Sequence, residues 1–528
     1  MSTAPDITEY LPFPPRYNQD KIISGIVQGF NKYDHIILAA PTGFGKSYIA
    51  YALANYYASL GEKSYILTSD KGLQDQYVDS YAGQEERVHT VKGRANYNCD
   101  LDARLKCDMG VCKKDKKIKC TCPYIRARHA AYNNHITVLN YSYYFNMFRS
   151  DNSPQKPRHL MVLDEAHSGE NNLLDFASIE INRKDFKEFE LGYNFIPNFP
   201  NENDSDKSKM DWLKAIALPT YRRSFEKETA YFESLENDDS GYVDQSRKVK
   251  YLDTMVCMIN RTLEQTYAGV PTVVQQNGKL GVSYKLLYAR GFTGDYYHSM
   301  ANKFLYMSAT IFSKEQFCSD MGLDPEKVAM INLPSLFPVE NRPIWKTYVG
   351  KMNYKNVERL KPNIVETIDK ILERYKDQKG IVHCTNFDLA KYVIENSKYK
   401  NRFILPKGRE RGNQIKLFKR DGGNSVLISP SISEGLDLGE DQSRFCVITK
   451  IPYGNLGDTF VKKRMNIDPK WYQIKTVERM VQSTGRSIRS ITDHADTFIL
   501  DTNFDNFLRQ NRTIIPQWWK NSIKIGRI

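Results

Sequence analysis

A lysine followed by a hydroxyl residue, placed just after a glycine-bearing turn, is a combination that grips the phosphates of a nucleoside triphosphate. The chain carries one at Ala40-Pro41-Thr42-Gly43-Phe44-Gly45-Lys46-Ser47. The spacing follows the phosphate-loop pattern G-x-x-x-x-G-K-[ST], except that Ala40 stands where the first glycine is usual. Backbone N–H groups around Thr42, Gly43 and Gly45 can cradle phosphate oxygens, Lys46 supplies positive charge, and Ser47 offers a hydroxyl to Mg²⁺. A second chemical pair, Asp164-Glu165, closes the apolar run His159–Leu163 and continues as Ala166-His167. Beside a phosphate loop, Asp164 suits Mg²⁺ and Glu165 suits polarisation of the attacking water. Far downstream, Gln482-Ser483-Thr484-Gly485-Arg486-Ser487-Ile488-Arg489 puts two arginines three residues apart, hence on one helix face. Their planar guanidinium groups match a γ-phosphate whose charge shifts during transfer.

These groups need particular supports. Ile36-Ile37-Leu38-Ala39 is a short continuous apolar run, as expected of a parallel strand covered on both faces, and the spacing predicts a helix over Ser47–Leu60 stopped by Gly61. Strands are expected at Ser64–Thr68, Ile136–Leu139, His159–Leu163 and Phe304–Met307, the last feeding Ser308-Ala309-Thr310. Upstream, Arg16 and Gln19 lead into a helix containing Ile22, Ile23, Ile26 and Val27; the Gln19 amide could read an adenine edge or could cap the helix. The proline-punctuated stretch from Leu333 to Pro343 marks a crossing into a second α/β pattern, with a helix near Val365–Tyr375 and strands at Gly380–Cys384, Arg402–Leu405, Ser425–Ile428, Phe445–Ile448 and Thr497–Leu500. That second pattern has no phosphate loop and offers Ser433-Glu434-Gly435-Leu436-Asp437 besides its arginines. An arginine brought from one domain to a nucleotide held by the other makes hydrolysis depend on domain closure. Between Ser178 and His298 the chain is highly charged and otherwise helical in pattern, with Leu252, Met255, Val256, Ile259 and Leu263 at helical spacing.

The chain has 528 residues, so several domains of ~150 residues each are expected. A formal charge of +13 suits a polyanionic partner. No apolar run approaches the ~20 residues of a membrane span, and Met1–Phe13 lacks the apolar core of a secretion signal, so a cytoplasmic protein without a membrane partner is expected. Five of the nine cysteines fall between Cys99 and Cys122. In a reducing compartment such clustering argues for a metal. Cys99, Cys107, Cys112 and Cys122, spaced C-x7-C-x4-C-x9-C, could hold an iron-sulfur cluster or a tetrahedral zinc, and Cys120 could replace one of them. The five lysines between Lys113 and Lys119 fit either a phosphate-backbone surface or a solvated charge run.

The chain resembles a superfamily 2 DNA helicase of the iron-sulfur XPD/DinG group over nearly its whole length. The phosphate loop resembles motif I, Asp164-Glu165-Ala166-His167 the DEAH form of motif II, and Ser308-Ala309-Thr310 motif III. Ser433–Asp437 looks like motif V, and Gln482–Arg489 matches the Q-x-x-G-R-x-I-R of motif VI. Lys92-Gly93-Arg94, Asn96-Tyr97, Cys99, Cys122-Pro123-Tyr124, the linker Ser335–Arg342 and the adenine-reading Arg16 with Gln19 are similar to signatures of that group. The resemblance implies an α/β fold with two RecA-like P-loop motor domains, the first interrupted by a small cysteine-rich insertion and a mainly helical arch. The implied division is residues 1–90 with 125–177 and 299–340 for the first motor domain, 91–124 for the cluster domain, 178–298 for the arch and 341–528 for the second motor domain. It favours a [4Fe-4S] cluster over zinc. It also implies a monomer that consumes ATP with Mg²⁺, travels 5′ to 3′ on single-stranded DNA and opens tailed duplexes. The competing expectation is a nucleic-acid-stimulated ATPase that clamps or remodels without processive unwinding and keeps a structural zinc.

Overall fold

The computed structural model describes residues 7–81, 88–108, 110, 121–148, 156–183, 199–235, 241–277, 281–430, 438–485, 487–488 and 491–526. Two seven-stranded sheets dominate it. The first runs, edge to edge, Val328–Asn332, His35–Ala39, Ala301–Ser308, Arg158–Leu163, Ser64–Thr68, Ile136–Asn140, Val88–Thr90. Every neighbouring pair is parallel. The continuous apolar runs read from the sequence become its central strands; Ile36, Ile37, Leu38, Leu67, Val162 and Leu305 are at most 1% exposed because helices cover both faces. Helix Lys46–Ser59 is apolar on every side, with Ile49, Ala50, Leu53 and Ala54 fully buried, so it lies inside the domain rather than on its surface.

The second sheet, also parallel throughout, runs Phe403–Ile404, Val426–Ser429, Gly380–His383, Phe445–Ile448, Asp496–Asp501, Ile344–Gly350, Ile523–Ile525. The predicted strands are all present. Two more, Ile344–Gly350 and Ile523–Ile525, extend the sheet on one side, and the helix expected near 365–375 begins earlier, spanning Tyr354–Arg374. The two sheets and their helices make two parallel-sheet RecA-like domains.

The charged stretch after Ser178 corrects a helical expectation in part. It contains helices Leu218–Ser234 and Tyr242–Tyr267, packed on each other, but also a three-stranded antiparallel sheet in the order Ile179–Asn182, Gly281–Leu286, Thr272–Asn277. Thr272-Val273-Val274 is β-branched, and in Gly281–Leu286 Val282, Tyr284 and Leu286 point inward at alternate positions.

At the amino end of the first sheet, opposite the phosphate loop, His35 stacks on Phe304 at 4.8 Å and meets His298 edge-on at 5.3 Å. Burial pushes both imidazoles down to about 4; for His35 the Asp34 charge opposes this and Lys303 adds to it, and for His298 the neighbouring His35 adds to it. Their folded values lie below the ordinary imidazole value, so the unfolded chain binds more protons between pH 6.5 and 4. Stability is therefore intact above 6.5 and is lost as the pH falls through that window, by about 2 kcal/mol per ring at pH 5. Denaturant midpoints measured at pH 7 and pH 5 should differ accordingly, and His298→Phe should shrink the difference; an equal pH dependence in that variant would sink this account.

Candidate active site between the two sheets

In an open parallel sheet ligands meet the carboxyl ends of the strands. Three of the recognised segments leave adjacent strands there. The phosphate loop follows His35–Ala39, Ser308-Ala309-Thr310 ends the neighbouring strand, and Asp164-Glu165 follows the next, with Ala39 paired to Ser308 and Leu163 to Tyr306. Gly43 and Gly45 take φ of +82° and +81°. A side chain at Gly45 would be strained by that angle and would also stand 2.5 Å from Gln19 Nε2. Gln19 is buried and braces the loop: its Nε2 donates to Phe44 O at 2.8 Å, and its Oε1 accepts from Arg16 N at 2.9 Å. The Arg16 side chain is exposed. Lys46 Nζ donates to Ala40 O at 3.2 Å, folded back along its own loop.

Asp164 is buried, and burial together with the adjacent Glu165 charge pushes its carboxyl up to about 6, with Lys46 and a Tyr77 hydrogen bond pulling the other way. Its Oδ1 accepts from Glu165 N at 2.9 Å. Glu165 sits at φ +49°, in the left-handed region that non-glycine residues avoid. Such strain persists where surrounding contacts hold it, and it turns the carboxylate out of the strand line into the cleft.

The cleft between the two domains has a volume of about 1050 Å³ and is lined by Thr42, Glu165, His167 and Thr310 on one side and Gln482 and Lys475 on the other. Helix Pro469–Thr484 of the second domain crosses it. Gln482 Nε2 lies 2.9 Å from His167 Nε2 and 3.1 Å from Thr310 Oγ1, while His167 Nδ1 lies 2.9 Å from Ser308 Oγ and 3.3 Å from Glu165 Oε2. An amide nitrogen only donates, so His167 Nε2 accepts and its proton resides on Nδ1, toward Ser308 and Glu165. Three of the sequence segments, DEAH, Ser308–Thr310 and Gln482–Arg489, are thereby joined by one polar chain across the domain boundary. Lys475 adds to it: its Nζ reaches His167 O at 3.4 Å and Glu478 Oε2 at 2.9 Å. Lys475 was not singled out from sequence, although Lys475, Glu478 and Gln482 share one helix face at spacings of three and four, which is the signal that could have found it. Asp437, Arg486 and Arg489 lie outside the described residues.

Residues 97–107 of the cysteine segment fold as a short turn-back. Cys99 N donates to Leu105 O and Cys107 N to Tyr97 O, both at 2.9 Å, which sets Cys99 and Cys107 side by side. Cys122 caps helix Pro123–Asn133. All three thiols are buried; Cys107 Sγ donates to Asn98 O, and its thiol is raised by burial and by hydrogen bonding to Cys122, with Cys99 close by. A side chain at Gly110 would stand 3.1 Å from Cys99 Sγ. Cys112 and Cys120 lie outside the described residues. Among the described residues no three candidate ligands are disposed around a metal position. In donor type the three buried thiols fit a thiolate-held metal.

A phosphate loop and a DEAH carboxylate pair on one parallel sheet, faced by a helix from a second parallel sheet, define a two-domain P-loop motor. Comparison with known proteins is consistent. A model described as "Type III restriction enzyme, res subunit" matches residues 12–192, and one described as "Helicase C-terminal domain" matches residues 366–522. The chain is 23% identical to the "Probable ATP-dependent helicase MJ0942" of Methanocaldococcus jannaschii over 95% of this chain and 94% of that protein. It is 22% identical to the "ATP-dependent DNA helicase YoaA" of Haemophilus influenzae over 35% of this chain and 30% of that protein. Three further helicase relatives, from Culex quinquefasciatus, Caenorhabditis briggsae and Candida albicans, are matched over 14%, 26% and 20% of their own length. A solved structure titled "XPD_Helicase" shares the fold with a TM-score of 0.61 at 14% identity, covering 97% of this chain and 100% of that one. In these comparisons the chain is similar to superfamily 2 helicases of the XPD/DinG group and shares their two-domain fold.

Proposed function

We propose that the protein is an ATP-dependent DNA helicase that moves 5′ to 3′ on single-stranded DNA and opens tailed duplexes as a cytoplasmic monomer. The observation that carries the reading is the polar chain from Glu165 through His167 to Gln482, because it links the hydrolytic carboxylate directly to the second motor domain. ATP sits between the domains, with Arg16 and Gln19 at the adenine end and the Thr42, Gly43 and Gly45 backbone around the phosphates. Lys46 swings from Ala40 O to the β/γ-phosphates. Ser47 and Asp164 hold Mg²⁺, which neutralises phosphate charge there. Glu165 takes the proton of the attacking water. Gln482, Arg486 and Arg489 meet the γ-phosphate from the second domain, and Asp437 belongs with the nucleotide-binding residues. Closing around ATP and reopening after hydrolysis moves the domains relative to each other along the phosphate backbone. Residues 91–124 form the cluster domain and 178–298 the arch, framing a pore with the first motor domain (1–90, 125–177 and 299–340), while 341–528 form the second. Cys99, Cys107, Cys112 and Cys122, with Cys120 as substitute, hold a [4Fe-4S] cluster whose thiolate bonds brace the cluster domain. The formal charge of +13 supports a polyanionic track. Among the described residues no helix is long and apolar enough to cross a membrane.

Anaerobic purification tests both halves of the proposal on one sample. A brown protein with about four irons per chain, active on 5′-tailed but not 3′-tailed duplex, is the expected result, and Cys99→Ser should cost unwinding more than ATP hydrolysis. A colourless zinc protein overturns the cluster. Single-strand-stimulated hydrolysis without strand separation at either tail overturns unwinding and leaves a clamp.

A further inference from the structure

Tyr77 stands where neither the phosphate loop nor the DEAH pattern calls for a residue. It belongs to helix Lys71–Tyr81, which follows the strand next to that of Asp164, and its side chain is fully buried. Its hydroxyl donates to Asp164 Oδ2 at 2.8 Å, so this phenol touches a side chain assigned to Mg²⁺. The consequence is geometric. Asp164 has one fixed donor on each oxygen, Tyr77 on Oδ2 and Glu165 N on Oδ1, so its carboxylate plane cannot turn.

We infer that Tyr77 is a positioning residue of the magnesium site, whose hydroxyl presets the Asp164 carboxylate as a ligand before Mg²⁺ and nucleotide arrive. Groups that orient metal ligands typically change metal affinity ten- to a hundredfold when removed. The inference rests on the reading of this site as a Mg²⁺–nucleotide site. Its test is Mn²⁺ affinity in the presence of a non-hydrolysable ATP analogue, read from the paramagnetic resonance of free Mn²⁺, together with the Mg²⁺ concentration giving half-maximal ATP hydrolysis, both compared between the native protein and the isosteric Tyr77→Phe. Both half-saturations should move to about tenfold higher metal, with a smaller fall in turnover at saturating metal. Tyr81→Phe is the control, because Tyr81 stacks on Tyr51 in the same aromatic layer without touching Asp164. An unchanged half-saturation in Tyr77→Phe overturns the inference, and so does an equal shift in Tyr81→Phe, which would make the effect one of packing. Native protein that hydrolyses ATP without any divalent cation instead overturns the underlying reading of the site.

Discussion

Lys46→Ala lowers ATP hydrolysis by about 100- to 1000-fold, the usual loss when one fixed electrostatic contact to a reacting oxygen is removed. Glu165→Gln lowers it by a similar or larger factor, since a positioned general base contributes about 100- to 10,000-fold. The two variants differ in what they leave behind. Lys46 is the only cation of the loop itself, now resting on Ala40 O, so its removal weakens nucleotide binding as well as chemistry. Glutamine at 165 keeps volume and tolerates φ +49° no worse than glutamate, so nucleotide still binds and the second domain still closes. Glu165→Gln should therefore hold ATP and retain single-stranded DNA in an ATP-dependent manner while failing to turn over. Steady-state phosphate release and filter binding of DNA with and without ATP check both. Native hydrolysis rates in either folded variant would remove the site from its proposed role.

How much of this was legible in sequence depended on whether the chemistry was local. The phosphate loop and the DEAH pair are contiguous turns attached to apolar runs, and the fold places them at the carboxyl ends of two strands of one parallel sheet, with the strand that ends in Ser308 between them. Gln482 was legible as a member of a motif, but its partners His167 and Thr310 were not, because they lie on the other domain and only tertiary packing brings them within hydrogen-bonding distance. Tyr77 gave no signal: a tyrosine in an amphipathic helix reads as core, and its aromatic body is indeed packed against Tyr81, while its function resides in one oxygen. Arg464 was hidden in the opposite way, since Lys462-Lys463-Arg464 reads as solvated charge although Arg464 is 0% exposed. The antiparallel sheet was masked by composition, with six-residue strands set in a charged segment beside a 26-residue helix that dominates its periodicity.

Arg464→Met should destabilise the protein by about 3–5 kcal/mol and loosen the two motor domains from each other, although methionine fills much of the same space. Arg464 lies on helix Thr459–Ile467 of the second domain, and its guanidinium enters the first. Nη1 is 3.0 Å from Glu170 Oε1, on the helix that follows DEAH, and Nη2 is 2.6 Å from Asp320 Oδ1, on the helix that follows Ser308–Thr310. Nη1 also donates to Leu287 O, and the guanidinium lies 3.9 Å from the centre of the Tyr288 ring. Burial and the Glu170 charge push the Asp320 carboxyl up to about 8 even with Arg464 and Lys475 opposing the shift. Without the arginine, two buried carboxylates face each other with Lys475 as the remaining cation near them. A carboxyl whose folded value is raised binds more protons in the folded state, so the variant gains stability as pH falls from 8 toward 6.5, more steeply than the native protein does. The penalty belongs to the stranded charges rather than to a lost attraction, so adding Glu170→Gln and Asp320→Asn to Arg464→Met should restore most of the stability. The domain junction would still be altered, because the neutral triad has no forked donor to fix its register. Denaturant unfolding of the single and triple variants, with the radius of gyration from solution scattering, separates the two effects. A native midpoint for Arg464→Met, or no recovery in the triple variant, would mean that the domains are joined chiefly by the Gln482 and Lys475 contacts instead.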